Sequence, residues 1–293
     1  LGELCNVQTV AIFGVGLIGG SFALALREAG YGGRIVGVSS PATITRAAAL
    51  GAIDEGLPPA EAASCADLVF LAQPIGVIIE TIGAIASHVP KQALVTDAGS
   101  TKSAIMAAAA GQMAGSLFVG GHPMAGKEAR GVGAACAGLF RGRVWGLTPA
   151  HPEDVQQPQC REFVQWLERI GAVPLVLSAA EHDRVVALTS HLPQLASTAL
   201  AAMLAERMSG TPPVHGPGLE DMTRLALSSF DIWEDILASN RENVARALEA
   251  YIAALETVHK EVVTSANSDI RQLFERGSAF ARTLRDAANR EPA

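Results

Sequence analysis

Cysteine is scarce in this chain, and what there is falls in no telling pattern. Four residues, Cys5, Cys65, Cys136 and Cys160, are scattered over 293 positions with no C-x-x-C pair among them, so they read as reduced cytosolic thiols with structural roles or none. No apolar stretch reaches the roughly 18 residues that a membrane span requires. The opening LGELCNVQ also lacks the basic start and long apolar core of a secretory signal, so a cytoplasmic location is expected. Charge is sparse too: charged residues make up 17% and the net charge is −7. That balance argues against nucleic acid or an anionic membrane as the main partner, and an anionic ligand must be met by local cations rather than a global field. There is no internal repeat and no low-complexity tail beyond a richness in alanine.

What is present is a hydrophobic content of 49%, enough for a large core, and a length that suggests two domains. The organising stretch is VAIFGVGLIGGS, from Val10 to Ser21. Gly14, Gly16 and Gly19 stand in the G-x-G-x-x-G spacing between an apolar run and an amphipathic one that begins at Leu17 and Ile18. The first glycine permits a tight turn, the second lets a pyrophosphate approach the backbone, and the third lets helix and strand pack closely. The helix that follows offers free N–H groups and a positive dipole end to phosphates. A chain holding 29 glycines produces such spacings by accident, so it is the strand before and the helix after that favour a dinucleotide site over a structural turn.

The second strand is expected at Arg34 to Val38. NAD-binding folds place an acid at its end, about 20 residues past the glycines, to hold the ribose hydroxyls. Ser39 and Ser40 stand there instead. With no carboxylate to repel a 2′-phosphate, and with Thr43 and Arg46 close behind, the reading leans to NADP over NAD. The alternative is that SSPAT merely caps a helix. Further strands are expected in DLVFLAQP, ending at Gln73 and Pro74, in ALVTDAGSTK, running into Asp97, Gly99, Ser100 and Lys102, and in LFVGGHPMAGKE from Leu117. Polar residues at successive strand ends match the place where open α/β sheets bind ligands. After VWGLTP, a helix near 161–170 and VPLVL, the pattern turns wholly helical, with a break predicted at Pro193. The expected architecture is α/β: a Rossmann-type dinucleotide-binding domain over 7–177, then an all-α domain over 178–293. The last helices carry more apolar surface than a lone pair can bury, which points to a homodimer.

Taken together, VAIFGVGLIGGS, TDAGSTK, GGHPMAGKE, SHLP, and DMTR followed by Trp233 resemble the prephenate and arogenate dehydrogenases of tyrosine biosynthesis. The resemblance runs from about Val7 to the final helices and is to the monofunctional form, with no segment left for a fused chorismate mutase or a regulatory domain. It implies an oxidoreductase with a nucleotide-binding domain and a helical dimerisation domain. Its reaction moves a hydride from C4 of a cyclohexadienol to NAD(P)+ while the ring carboxylate leaves as CO2. Such chemistry asks for an acceptor for the 4-hydroxyl, a nicotinamide against C4 and a cation for a carboxylate; aromatisation supplies much of the driving force.

On that resemblance His122 is the acceptor, Ser100 bridges hydroxyl, histidine and nicotinamide, and Arg224 grips a substrate carboxylate. Glu128 and Asp221 match acidic positions near the arginine, and Trp233 belongs to the same pocket. Read without it, His122 pins a turn before Pro123, Ser100 caps a helix, and Arg224 pairs with Glu220 or Asp221 on a surface. His182 is a candidate for the substrate pocket and His191 for structure. At about 100° per residue these two fall on opposite faces of an unbroken helix, so no shared metal is expected. Many relatives read S-H-L-P-H, where this chain has Gln194. Glutamine cannot become cationic, which tilts the substrate toward arogenate. Two other readings remain at this point. One is a β-hydroxyacid dehydrogenase-like enzyme, whose catalyst usually sits in the helical half. The other is a dinucleotide-sensing module without turnover.

Overall fold

The computed structural model describes residues 7–113, 115–127, 129–208, 210, 214–264 and 268–288. Eight strands form one sheet: β1 (Thr9–Phe13), β2 (Arg34–Val38), β3 (Glu55–Gly56), β4 (Leu68–Leu71), β5 (Leu94–Asp97), β6 (Leu117–Pro123), β7 (Val144–Pro149) and β8 (Val173–Val176), in the order β3-β2-β1-β4-β5-β6-β7-β8. The strands are parallel except where β7 runs antiparallel to β6. Strand β3 has only two residues, both exposed, and carries too little apolar pattern to be read from sequence. The order reverses between β1 and β4, the crevice where doubly wound sheets take their ligands.

Strands β1, β4 and β5 are buried on both faces and read as nearly continuous apolar runs, as parallel strands between two helical layers must. One face carries a cluster of Phe22, Phe70, Trp145 and Phe163, with ring centroids 4.5 to 6.3 Å apart. The other face packs Ile78, Ile82 and Ile85 of the helix Ile75–Ile85 against Val69, Leu71 and Val95. Edge strand β8 keeps Leu175 and Val176 half exposed.

Beyond β8 the chain is helical. The break foreseen at Pro193 falls just before it: the helix Ala179–Val186 runs into a π-helical turn, Ala187–His191, and resumes as Leu192–Arg207. Proline fits there because the resumed first turn has no need of its missing N–H. The helices Pro217–Thr223 and Phe230–Ser239 follow, then the long Arg241–Thr264 and Ser268–Ala288. The last two leave Ile252, Val262, Val263, Phe274 and Phe280 exposed. Among the described residues, no helix is long and apolar enough to cross a membrane.

The three motif glycines differ in what a side chain would meet. Gly14 has φ +87°, and a Cβ there would sit 2.5 Å from the Ala72 carbonyl oxygen. At Gly19 it would collide with the Gly14 carbonyl and lie 2.9 Å from Ile12 Cγ2, whereas at Gly16 it would meet nothing within 4 Å. Gly14→Ala and Gly19→Ala should therefore each destabilise the fold by about 1–3 kcal/mol, the usual scale for overpacking. Gly16→Ala should leave thermal unfolding close to wild type. Equal melting shifts for all three variants would contradict this division of labour.

Candidate active site

Gly14 N–H donates to the Val38 carbonyl at 2.9 Å, tying the glycine turn to the end of β2. The helix Leu17–Glu28 then starts at Gly16 with no side chain capping it, so its first N–H groups face outward. The open space at Gly16 and the uncapped helix start are the cradle a pyrophosphate needs. Ser40 is engaged otherwise: its Oγ accepts from Thr43 N–H at 3.4 Å and lies 2.9 Å from Thr43 Oγ1, making it the cap of the helix Pro41–Ala49. Ser39, at the end of β2, is exposed.

A cleft of about 420 Å³ opens above the strand ends. Leu17, Ile18, Gln73, Pro74 and Ser100 all border it, together with Asp231 and Asp235 from the helical half. Asp235 Oδ2 accepts from Gly76 N–H at 2.9 Å and so pins the helix Phe230–Ser239 across the start of the helix Ile75–Ile85. Ser239 Oγ and Thr101 Oγ1, 2.8 Å apart, make a second tie along that seam. A second cavity of about 670 Å³ adjoins the first, and the two share Lys127, Arg130 and Ile232. Gln194 and Arg224 line this second cavity, so residues 30 positions apart in the helical half come together beside the sheet.

His122 lies at the end of β6, 8% exposed. Its Nδ1 is 2.8 Å from His182 Nε2, and His182 Nδ1 is 2.9 Å from Asp183 Oδ1. Asp183 also accepts the Lys102 N–H at 2.7 Å and the Ser103 N–H at 2.8 Å. Beneath them Lys102, fully buried, donates its Nζ to Asp97 Oδ2 and, at 2.7 Å, to the Gly121 carbonyl, while Asp97 accepts the N–H groups of Gly99 and Gly121. Burial, then the neighbouring His182, Lys102 and His191, hold the His122 pKa well below the ordinary 6.5. Burial likewise lowers Lys102 against the pull of Asp97. Burial alone would raise Asp183, but hydrogen bonds from His182 and from the Ser103 and Lys102 amides bring it below 3.8.

Three residues expected at the substrate pocket stand elsewhere. His182 is 3% exposed and packs behind His122, with a third, separate cavity on its far side. The helix that carries it begins beyond β8 and brings it over the sheet rather than into the cleft. Asp221 sits on an exposed face of the helix Pro217–Thr223, away from both clefts. Trp233 donates its Nε1 to Ser228 Oγ at 2.9 Å and sets its ring against His191, 5.8 Å between centroids, so it braces the cavity wall. Glu128 lies outside the described residues. His191 is buried beside Asn240, and burial pushes its pKa down to about 4. Lys127, Arg130 and Asp183 were missed as site residues. The first lies inside the GGHPMAGKE run already quoted and the last directly follows His182, whereas Arg130 carried no signal.

Comparisons with known proteins agree with this geometry. The family model for the prephenate dehydrogenase nucleotide-binding domain matches residues 22–176, and that for the prephenate dehydrogenase dimerization domain matches residues 178–276. A prephenate dehydrogenase of Lactococcus lactis is 31% identical over 95% of this chain and 78% of its own length. The structure of the A. aeolicus prephenate dehydrogenase, in complex with hydroxyphenyl propionate and NAD+, superposes with a TM-score of 0.86 at 31% identity, covering 97% of this chain and 99% of the other. The Synechocystis arogenate dehydrogenase gives 0.80 at 27% identity, covering 94% of this chain and 99% of the other. Matched by both domain models along most of its length and by relatives at 31% identity, the chain belongs to the prephenate dehydrogenase family of NAD(P)-dependent oxidoreductases.

Proposed function

We propose that this enzyme converts prephenate to 4-hydroxyphenylpyruvate, arogenate to tyrosine, or both, by oxidative decarboxylation in tyrosine biosynthesis. The observation that carries the reading is a buried histidine held below its ordinary pKa at the end of β6 and joined through His182 and Asp183 to the amides of Lys102 and Ser103, just past Ser100 at the cleft. When bound there, with Gln73 and Pro74 bordering the cleft, the nicotinamide dinucleotide supplies the hydride acceptor. His122 accepts the 4-hydroxyl proton as the C4 hydride departs, because only an uncharged imidazole has a lone pair to offer. Ser100, at the edge of the same cleft, orients the hydroxyl. Arg224 grips a substrate carboxylate with two parallel hydrogen bonds, a geometry that suits guanidinium better than ammonium. Lys127 and Arg130, shared by both cavities, place further positive charge where a second carboxylate would lie.

The domain division falls at 177/178 in this reading, and the exposed Ile252, Val262, Phe274 and Phe280 support a homodimer built on the helical half. Cofactor choice rests on Ser39 and on Arg46, since Ser40 is occupied as a cap. Arg46 leans on the Gly133 backbone, where a Cβ would strike its guanidinium, and there it would meet a 2′-phosphate at the rim of the adenosine end. The preference proposed is for NADP.

Steady-state assays with prephenate and arogenate, each with NAD+ and NADP+, test the function directly; no turnover in any of the four pairings would end it. The same assay should show Ser39→Asp moving preference toward NAD+, and a parent that already prefers NAD+ would refute the NADP assignment. His122→Asn should lower kcat by about 10²–10⁴ with little change in KM. The wild-type rate should hold down to pH values below 6.5 and fall only as the imidazole gains its proton, since its pKa is displaced downward. Arg224→Ala should chiefly raise KM, by roughly 10- to 100-fold for a charged hydrogen-bonding group worth about 1.5–3 kcal/mol; an unchanged KM would remove it from the site.

A further inference from the structure

Asp183 can only accept hydrogen bonds, because its carboxylate already takes the N–H groups of Lys102 and Ser103. The His182 Nδ1 that lies 2.9 Å from Oδ1 must therefore be the donor. Where His182 carries only this Nδ1 proton, its Nε2 is bare and accepts from the His122 Nδ1 at 2.8 Å. The direction of each bond thus follows from the one before it, starting from two backbone amides. His122 is left with Nε2 as its lone-pair nitrogen, and that atom is not among the buried polar atoms lacking a partner.

A second observation supports a built contact. His122 of β6 stands opposite Gly146 of β7 in the antiparallel register. A Cβ at Gly146 would lie 3.3 Å from His182 Cδ2, tighter than side chains normally tolerate. The missing side chain on β7 is what lets the second imidazole reach across and meet the first.

We infer that His182 and Asp183 are positioning residues for the proposed reaction: they fix the tautomer of His122, and His182 holds the hydroxyl proton while the substrate is oxidised. As the C4–H pair leaves as hydride, the hydroxyl proton passes to His122 Nε2 and the Nδ1 proton of His122 passes to His182 Nε2. His182 is then an imidazolium with its Nδ1–H on the Asp183 carboxylate, and His122 is neutral again. The C–C pair of the departing carboxylate enters the ring as CO2 leaves, and both protons return so that the C4 oxygen ends as a phenol. No proton is gained or lost overall. The charged groups around the pair make His182 the better place for a cation. His122 faces Lys102, whereas His182 lies against Asp183, and His191 is separated from the chain by Asn240, which donates to the Asp183 carbonyl at 2.8 Å.

The inference rests on the proposed function, and its test separates the two. Nitrogen chemical shifts of imidazole-labelled enzyme report the His122 tautomer without turnover. Wild type should carry the His122 proton on Nδ1. His182→Phe, which removes the acceptor, should shift it to Nε2 or a mixture and lower kcat about 10²-fold. His182→Gln offers an amide oxygen to Nδ1 and should keep the tautomer, yet still lose rate and show an altered pH profile because it cannot hold the proton. A wild-type proton on Nε2 would overturn the tautomer assignment, and wild-type kcat and pH dependence in His182→Gln would overturn the proton-holding role. If neither cyclohexadienyl substrate is turned over by wild type, the proposed function fails while the nitrogen spectra still decide the hydrogen-bond order.

Discussion

The seat of the Asp183 carboxylate on the amides of Lys102 and Ser103 is the contact on which the arrangement of the two halves depends. It joins a helix that follows β8 to the first turn of the helix Ser103–Gln112, which follows β5. A buried charge is tolerated only when hydrogen bonds replace its lost hydration. Here two amides and an imidazole do so. Removing one partner from such a buried pair typically costs about 3–5 kcal/mol, more than a surface ion pair such as Arg246 with Glu242 at 3.1 Å contributes.

A second buried charge lies directly below. Lys102 and Asp97 neutralise each other, and through Gly99 and Gly121 they fasten the ends of β5 and β6 together. The ammonium has a further effect on the site: with burial and His182 it disfavours a cation on His122. One residue thus holds two strand ends in register and adds to the burial that disfavours charge on His122. The helix Phe230–Ser239 completes the enclosure by burying Ile236 in the sheet's second core and tying Asp235 to Gly76.

Much of this was legible in the sequence, for physical reasons that differ by residue. The parallel strands announced themselves as unbroken apolar runs, and the glycine turn by its spacing, because steric demands at Gly14 and Gly19 admit nothing larger. Ser100, Gln73 and Pro74 border the cleft because they stand at or just past strand ends, which in such sheets open onto it. His182 was misplaced because sequence spacing says nothing of how a helix after β8 folds back over the sheet. Asp183 and Gly146 escaped notice for a related reason: their roles are set by contacts made across long separations. The antiparallel pairing of β7 with β6 was equally unreadable, since an apolar run has no polarity.

Strand β8 ends the sheet with Leu175 and Val176 half exposed, a combination that invites an incoming strand from another molecule. Val173 N–H turns inward to the Arg143 carbonyl, so the nitrogen of the next residue points out to the rim. That residue is Pro174, which has no hydrogen to give. At that position the border of the sheet lacks a donor for a newcomer's carbonyl, which discourages end-to-end stacking of sheets.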